Sequence, residues 1–171
     1  MVVRACFAPK RVIAIGIATL CSVTLLHAQF RINLVLGESM WPTFETGDLL
    51  LISKRAYLGA DPQRGDIVVA RYRGDLIVKR VVGLPGEQVQ VKDGNLFVDG
   101  ALIVENYPIQ TGDLDVGKGE LREGKFAILG DNRNLPSSRA VHAVVSKGEI
   151  VGKVVFSIRL WRPKSPTKGE T

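Results

Sequence analysis

Ser39 stands in the stretch GESMWPTFETGDLL, residues 37–50, on a corner led by Gly37 and closed by Pro42. A serine beside glycine commonly serves only as a turn or cap residue. To act as a nucleophile it needs a neighbour that takes the hydroxyl proton, and backbone N–H groups that hold the oxyanion formed by its attack. The chain has two histidines, His27 and His142. His27 follows an apolar run, and His142 lies in RAVHAVVSKGE with no catalytic setting around it, so it reads as a surface or core residue. The base has to be sought elsewhere.

The stretch DLIVKRVVGLPGE, residues 75–87, offers one. In an extended strand Lys79 shares a face with Ile77 and Val81, and Arg80 shares the opposite face with Val78 and Val82. At least one cation must then point inward. An edge lysine can snorkel its charge out to water. Arginine keeps its proton in a protein, whereas a desolvated lysine gives it up, so only Lys79 could be a base. At a reference pKa near 10.4 about one lysine in 2,500 is neutral at pH 7, and full burial lowers that value by as much as ~3 to 5. A drop of about two and a half leaves roughly a tenth of the amine neutral, enough for general-base work.

The elements that would position these groups follow from composition and pattern. The chain has 171 residues, 46% hydrophobic and 23% charged, which fits one folded domain with a sizeable core. Its net charge of +6 is uneven: Arg4, Lys10 and Arg11 precede the first acid, Glu38, and 20 basic against 17 acidic residues remain beyond residue 28. That scattered excess is not the clustered footprint of a nucleic-acid binder. Cys6 and Cys21 both precede residue 29, so no metal site of the usual Cys/His spacing can form, and nothing in the pattern calls for a cofactor.

Val12 to Leu26 carries no charge, and the run extended to Ala28 makes roughly 26 Å of helix against a hydrocarbon core of about 30 Å. A cleavable signal peptide has a similar apolar stretch. Cutting after Ala28 would leave Leu26 where a small residue is wanted, and Leu20 argues against lipid modification of Cys21, so a retained anchor is the better reading. Lys10 and Arg11 before the run place the amino terminus in the cytoplasm and the rest outside. The expected division is 1–11 cytoplasmic, 12–28 membrane-spanning, 29–162 an extracytoplasmic β-rich domain, and 163–171 a tail.

Phe30, Ile32, Leu34 and Leu36 alternate with Arg31 and Asn33, the period of a half-buried strand. Apolar, β-branched runs recur at 49–52, 67–70, 76–82, 89–91, 96–98, 126–129 and 150–158, with Asp93-Gly94 and Asp99-Gly100 as hairpin turns. Residues 106–124 read as a loop or irregular hairpin. The fold class is therefore mostly β, with bent antiparallel sheets forming a barrel or sandwich behind one transmembrane helix.

Four stretches, GESMWPTFETGDLLLISK, RGDIVVAR, LIVKRVVGLPGEQV and LGDNRNLPSSR, resemble in order and spacing those of the bacterial type I signal peptidases, membrane-anchored serine-lysine endopeptidases. The resemblance implies Ser39 as nucleophile, Lys79 as general base, and signal peptides of exported preproteins as substrates. It implies an oxyanion held by the Ser39 N–H. Where some members add a hydroxyl two residues earlier, this chain has Gly37. Met40, Ile77 and Val78 are the expected pocket residues. The family's GDNR-x-x-S-x-DSR pattern is shortened here to GDNRNLPSSR, which keeps Gly130, Asp131, Asn132, Arg133, Ser138 and Arg139 as supporting residues but lacks an acid before the final Ser-Arg. Ser137 could stand in for the serine that orients the lysine, or no residue does; Asp131 could pair with Arg80 or with Arg139.

An extended substrate pairing with a sheet edge, with small residues at the first and third positions before the cut, is the expected mode of recognition. Trp41 and Phe30 suit a lipid interface or a core. Other readings are a pilin-processing or conjugation-type peptidase, and a tethered β domain whose dyad has decayed and which binds peptides or partners. The self-cleaving repressors share the Ser-Lys pair but have a DNA-binding part and no anchor.

Overall fold

The computed structural model describes residues 9–136 and 142–159. The expectations placed on Ser137, Ser138, Arg139 and the tail 163–171 lie outside these residues. The uncharged run forms the body of helix α1 (Pro9–Gln29), whose Arg11–Gln29 stretch has a mean hydropathy of 1.8 and lies exposed, tied to the domain at its end, where Lys54 donates to His27 O through Nζ at 2.6 Å and to Gln29 O through its N–H at 2.9 Å. Its polar side chains need no solvent: Thr19, Ser22 and Thr24 donate to the carbonyls of Ile15, Ala18 and Leu20, each at 2.9 Å. Length and composition suit a bilayer span.

The strands are β1 (Phe30–Leu34), β2 (Leu49–Ser53), β3 (Ile67–Tyr72), β4 (Asp75–Gly83), β5 (Gln88–Lys92), β6 (Asn95–Val98), β7 (Ala101–Leu102), β8 (Val116–Glu120), β9 (Lys125–Leu129), β10 (His142–Ser146) and β11 (Ile150–Ile158). Seven form one antiparallel sheet in the order β1-β2-β11-β3-β4-β9-β10, and four form a second in the order β7-β6-β5-β8. Both sheets stay open at their edges, so the domain is sandwich-like and not a closed barrel. The second sheet is an excursion of the chain between β4 and β9, which pair directly in the first, Arg80 opposite Leu129.

Three two-residue hairpins set the registers: Arg73-Gly74, Asp93-Gly94 and Asp99-Gly100, with φ of 52° and 93°, 49° and 72°, and 52° and 82°. Two successive positive φ values match the right-handed twist of the flanking strands. Arg73-Gly74 escapes a sequence reading because arginine is not a residue that favours the left-handed region.

The structure corrects several expectations. β1 is not half-buried: it is an edge strand paired only with β2, and Ile32, Leu34 and Leu36 are 68%, 51% and 80% exposed. Its alternation faces outward because no second layer covers that edge. Residues 106–124 contain β8, an exposed strand rich in glycine and charge that gives no apolar period. β7 and β10 also lacked a signal, β7 being too short. The expectation that at least one of the β4 cations points inward is met by both: Lys79 and Arg80 are buried, since both faces of β4 are covered.

Val82, Leu129, Val91, Leu96 and Leu121 join the two sheets in one apolar cluster. A separate cluster, with Val35, Met40, Phe44, Leu50, Ile52 and Val69, anchors the serine loop on the larger sheet. Burying a side chain the size of Met or Phe contributes about 1.5 to 3 kcal/mol, so Met40 and Phe44 hold this loop firmly.

Gly112 marks where the excursion returns to the site. A Cβ there would lie 2.4 Å from Arg133 O and 2.5 Å from Asn134 Cα, both backbone atoms. Gly112→Ala is expected to cost about 1 to 3 kcal/mol in urea unfolding. Gly117→Ala, with open space around it, should stay within about 0.5 kcal/mol of wild type.

Candidate active site

Residues 35–48 leave the β1–β2 hairpin as a loop, tied at its base by Val35 N–H to Asp48 O at 2.9 Å and Gly47 N–H to Val35 O at 2.8 Å. Trp41 N–H donates to Glu38 O at 3.1 Å and Phe44 N–H to Met40 O at 2.9 Å, which tightens the corner that carries Ser39. The Trp41–Pro42 bond is cis. With Met40 and Phe44 sunk in the core, the serine is turned toward β4.

Lys79 sits within β4, opposite Val68 of β3, in the interior of the larger sheet. Its Nζ lies 2.7 Å from Ser39 Oγ and donates to Val78 O at 3.0 Å. The residue is 3% exposed. Burial pushes the amine pKa down to about 8, partly opposed by the negative charge of Asp131. At that value about a tenth of the amine is neutral at pH 7.

Asp131 itself is held by Arg80. Because Arg80 pairs with Leu129 across the β4–β9 ladder, the carboxylate two residues on meets the guanidinium in a two-pronged contact: Nε to Oδ1 at 2.9 Å and Nη2 to Oδ2 at 2.7 Å. Thr43 Oγ1 donates to the same Oδ2 at 2.5 Å, Arg80 Nη1 donates to Gly65 O at 2.9 Å, and the guanidinium stacks 3.8 Å from the Tyr107 ring centroid. A carboxylate neutralised in this way raises the lysine pKa less than a bare one would. Of the two partners weighed for Asp131, Arg80 is the one found; Arg139 lies outside the described residues.

Arg133, fully buried, binds the second sheet to this loop: Nε to Gly130 O at 2.8 Å, Nη1 to Gly94 O at 3.0 Å and Nη2 to Glu105 Oε1 at 2.6 Å. Tyr107 OH donates to the same Glu105 carboxylate. Burial and that carboxylate push the phenol pKa up, so it stays protonated. Asn132 is 7% exposed and touches the serine corner twice, through Nδ2 to Glu38 O and its own N–H to Ser39 O, both at 3.1 Å.

A cleft of about 660 Å³ opens over Ser39, walled by residues 33–40 on one side and 76–79 on the other, with Val69 and Leu135 also lining it. Gly37, Met40, Ile77 and Val78 all line it. The Gly37 N–H is already engaged, donating to Thr46 Oγ1 at 3.0 Å. The Ser39 N–H donates to no group among the described residues. His142 lines a different, small apolar cavity, where burial lowers its pKa.

Thr43, Thr46, Glu105 and Tyr107 were not singled out from the sequence. Thr43 and Thr46 both belong to the quoted serine stretch, whereas Glu105 and Tyr107 carry no local signature, because their partners Arg133 and Arg80 are remote in the chain.

Residues 8–161 match the family described as signal peptidase, peptidase S26. The chain is 35% identical over 158 residues to signal peptidase I T of Bacillus subtilis (strain 168), covering 84% of this chain and 81% of that one. It is 35% identical over 161 residues to signal peptidase I of Bacillus caldolyticus, covering 85% and 87%. A probable signal peptidase I-2 of Synechocystis is 32% identical over 158 residues, covering 88% and 68%. A crystal structure of a signal peptidase I from Enterococcus faecalis V583 aligns with a TM-score of 0.44 at 26% identity, over 56% of this chain and 98% of that one. With the family matched over nearly its whole length and relatives above 30% identity along most of theirs, the chain belongs to the signal peptidase family S26 and is a peptidase.

Proposed function

We propose that this signal peptidase removes signal peptides from exported preproteins by a Ser39 nucleophile and a Lys79 general base, and that α1 anchors it in the cytoplasmic membrane. The observation that carries the reading is the 2.7 Å contact between the Ser39 hydroxyl and a buried amine whose pKa is pushed down to about 8. In the neutral form of that amine, the hydroxyl donates to Nζ. As Oγ attacks the scissile carbonyl, the proton passes to Lys79 and the Ser39 N–H faces the oxyanion. The resulting ammonium returns the proton to the leaving amine. Water, activated by the same amine, then cleaves the acyl-serine ester and regenerates the hydroxyl.

The cleft suits an extended peptide lying between the chain segments 33–37 and 76–78. Side chains one and three residues before the cut fall on the same face of such a strand. Met40, Ile77 and Val78 already occupy the cleft walls, which favours small residues at both positions. The outward apolar side chains of β1 follow α1 without a break, as expected for a domain resting on a bilayer. With Lys10 and Arg11 inside, the catalytic domain lies outside the membrane.

The kcat/KM for a preprotein-derived peptide should rise about tenfold per pH unit below about pH 8 and level off above it, as Lys79 loses its proton. Ser39→Ala and Lys79→Ala should each abolish cleavage; a variant of either that cuts at the wild-type rate sinks the dyad.

Lys79→Met should be inactive yet more stable. With a folded pKa of about 8 against 10.5 unfolded, the buried ammonium costs about 3 kcal/mol below pH 8, a cost that fades as pH rises to 10.5. Allowing about 1 kcal/mol for the lost serine contact, the variant gains about 2 kcal/mol at pH 7 and loses that advantage toward pH 10.5. Denaturant midpoints across this range check it, and a less stable variant at pH 7 would contradict the buried-amine account. Finally, protease added to spheroplasts should digest the domain beyond residue 30; complete protection there would reverse the orientation.

A further inference from the structure

The N–H of Ser39 is one end of a peptide plane whose other end is the carbonyl of Glu38. That bond is trans, and a trans peptide is rigid with its C=O and N–H pointing in opposite directions, so whatever fixes Glu38 O also aims Ser39 N–H. Two groups fix it: Trp41 N–H, from within the corner, and Asn132 Nδ2, from outside it, each at 3.1 Å. The next plane is held as well. The backbone N–H of Asn132 donates to Ser39 O at 3.1 Å, which sets the Ser39–Met40 peptide.

Asn132 is not free to relax this grip. Its Oδ1 accepts the N–H of Asn134 at 3.2 Å, so the amide must present Nδ2 to Glu38. Its backbone is flanked by Gln110 N–H to Asp131 O at 2.8 Å and Arg133 N–H to Gln110 O at 2.9 Å, a bridge to the segment that returns from the second sheet. The residue is buried, with no bond to Lys79.

We propose that Asn132 is a positioning residue for catalysis: it clamps the peptide planes on both sides of the nucleophile and so aims the Ser39 N–H at the oxyanion. The proposal rests on the Ser39–Lys79 reading above and adds to it a second requirement, separate from the proton transfer. An oxyanion donor works only within a narrow distance of the developing charge, and loss of one such donor costs about 100- to 1,000-fold in kcat. Releasing the clamp leaves the donor present but loosely aimed, so a loss of about 10- to 100-fold is expected.

The test uses the full-length protein in detergent and a peptide substrate with alanine at the first and third positions before the cut. Asn132→Ala should lower kcat about 10- to 100-fold, leave KM within about twofold, and leave the midpoint of the acidic limb of the pH profile in place. Affinity for a peptide aldehyde, whose serine adduct carries the oxyanion, should fall by the same factor as kcat/KM. Affinity for the matching peptide with proline after the scissile position, bound with its carbonyl intact, should not change.

A kcat within twofold of wild type overturns the clamp. So does a loss that shifts the pH midpoint, which would trace it to Lys79, or one that weakens both ligands equally. If Asn132→Ala does not fold, Asn132→Leu, which keeps the volume without the donor, carries the same expectations. Ser39→Ala is assayed alongside. Cleavage by Ser39→Ala brings down the dyad and the clamp together, whereas an inert Ser39→Ala beside wild-type-like Asn132 variants removes the clamp alone.

Discussion

An amine 2.7 Å from a serine hydroxyl, with almost no solvent around it, makes demands on every group nearby. Any unneutralised carboxylate in the vicinity would pull a proton back onto it. Asp131 is such a carboxylate, and the two-pronged Arg80 contact, the Thr43 hydroxyl and the covering Tyr107 ring keep its charge occupied. Buried ion pairs of this kind are weak sources of stability in themselves, because removing two charges from water costs about as much as their attraction returns. Here the pair has an electrostatic use: it lets an acid that also shapes the loop sit near the lysine while raising the amine pKa less than a bare carboxylate would.

The loop carrying Asp131, Asn132 and Arg133 meets three parts of the molecule through three consecutive side chains. Asp131 faces β4, Asn132 faces the serine corner, and Arg133 faces the second sheet. Each side chain is bonded at nearly every polar atom it has, as buried polar groups require. The site is therefore rigid because three elements agree on the position of one loop, while the apolar packing of Met40 and Phe44 holds the serine from the other side.

Much of this was legible from residue types. Ser39 and Lys79 stood out because only two histidines were available and neither lay in a catalytic setting, and the seven β-branched runs correspond to β2 to β6, β9 and β11. What could not be read was anything depending on partners far along the chain. Arg80 and Asp131 are 51 residues apart, and nothing local in either stretch announces the other. Tyr107 falls in the 106–124 segment that looked irregular, and Glu105 immediately precedes it. The outward face of β1 was misjudged because alternation specifies two faces but not whether a second layer covers either. β8 and β10 escaped for the complementary reason: β8 has Val116 as its one apolar residue, and β10, HAVVS, offers only a brief apolar run behind a histidine.

The insertion of the small sheet between two neighbouring strands of the large one also bears on synthesis. A ribosome releases the serine and the lysine well before the GDN stretch, and the β4–β9 ladder cannot close until the whole intervening lobe has emerged and found its place. On the proposed mechanism, a growing or truncated chain thus holds the nucleophile and base without the carboxylate pairing, the peptide-plane restraint or the dry surroundings that would make them competent. Hydrolytic power arrives last, as a property of the finished molecule.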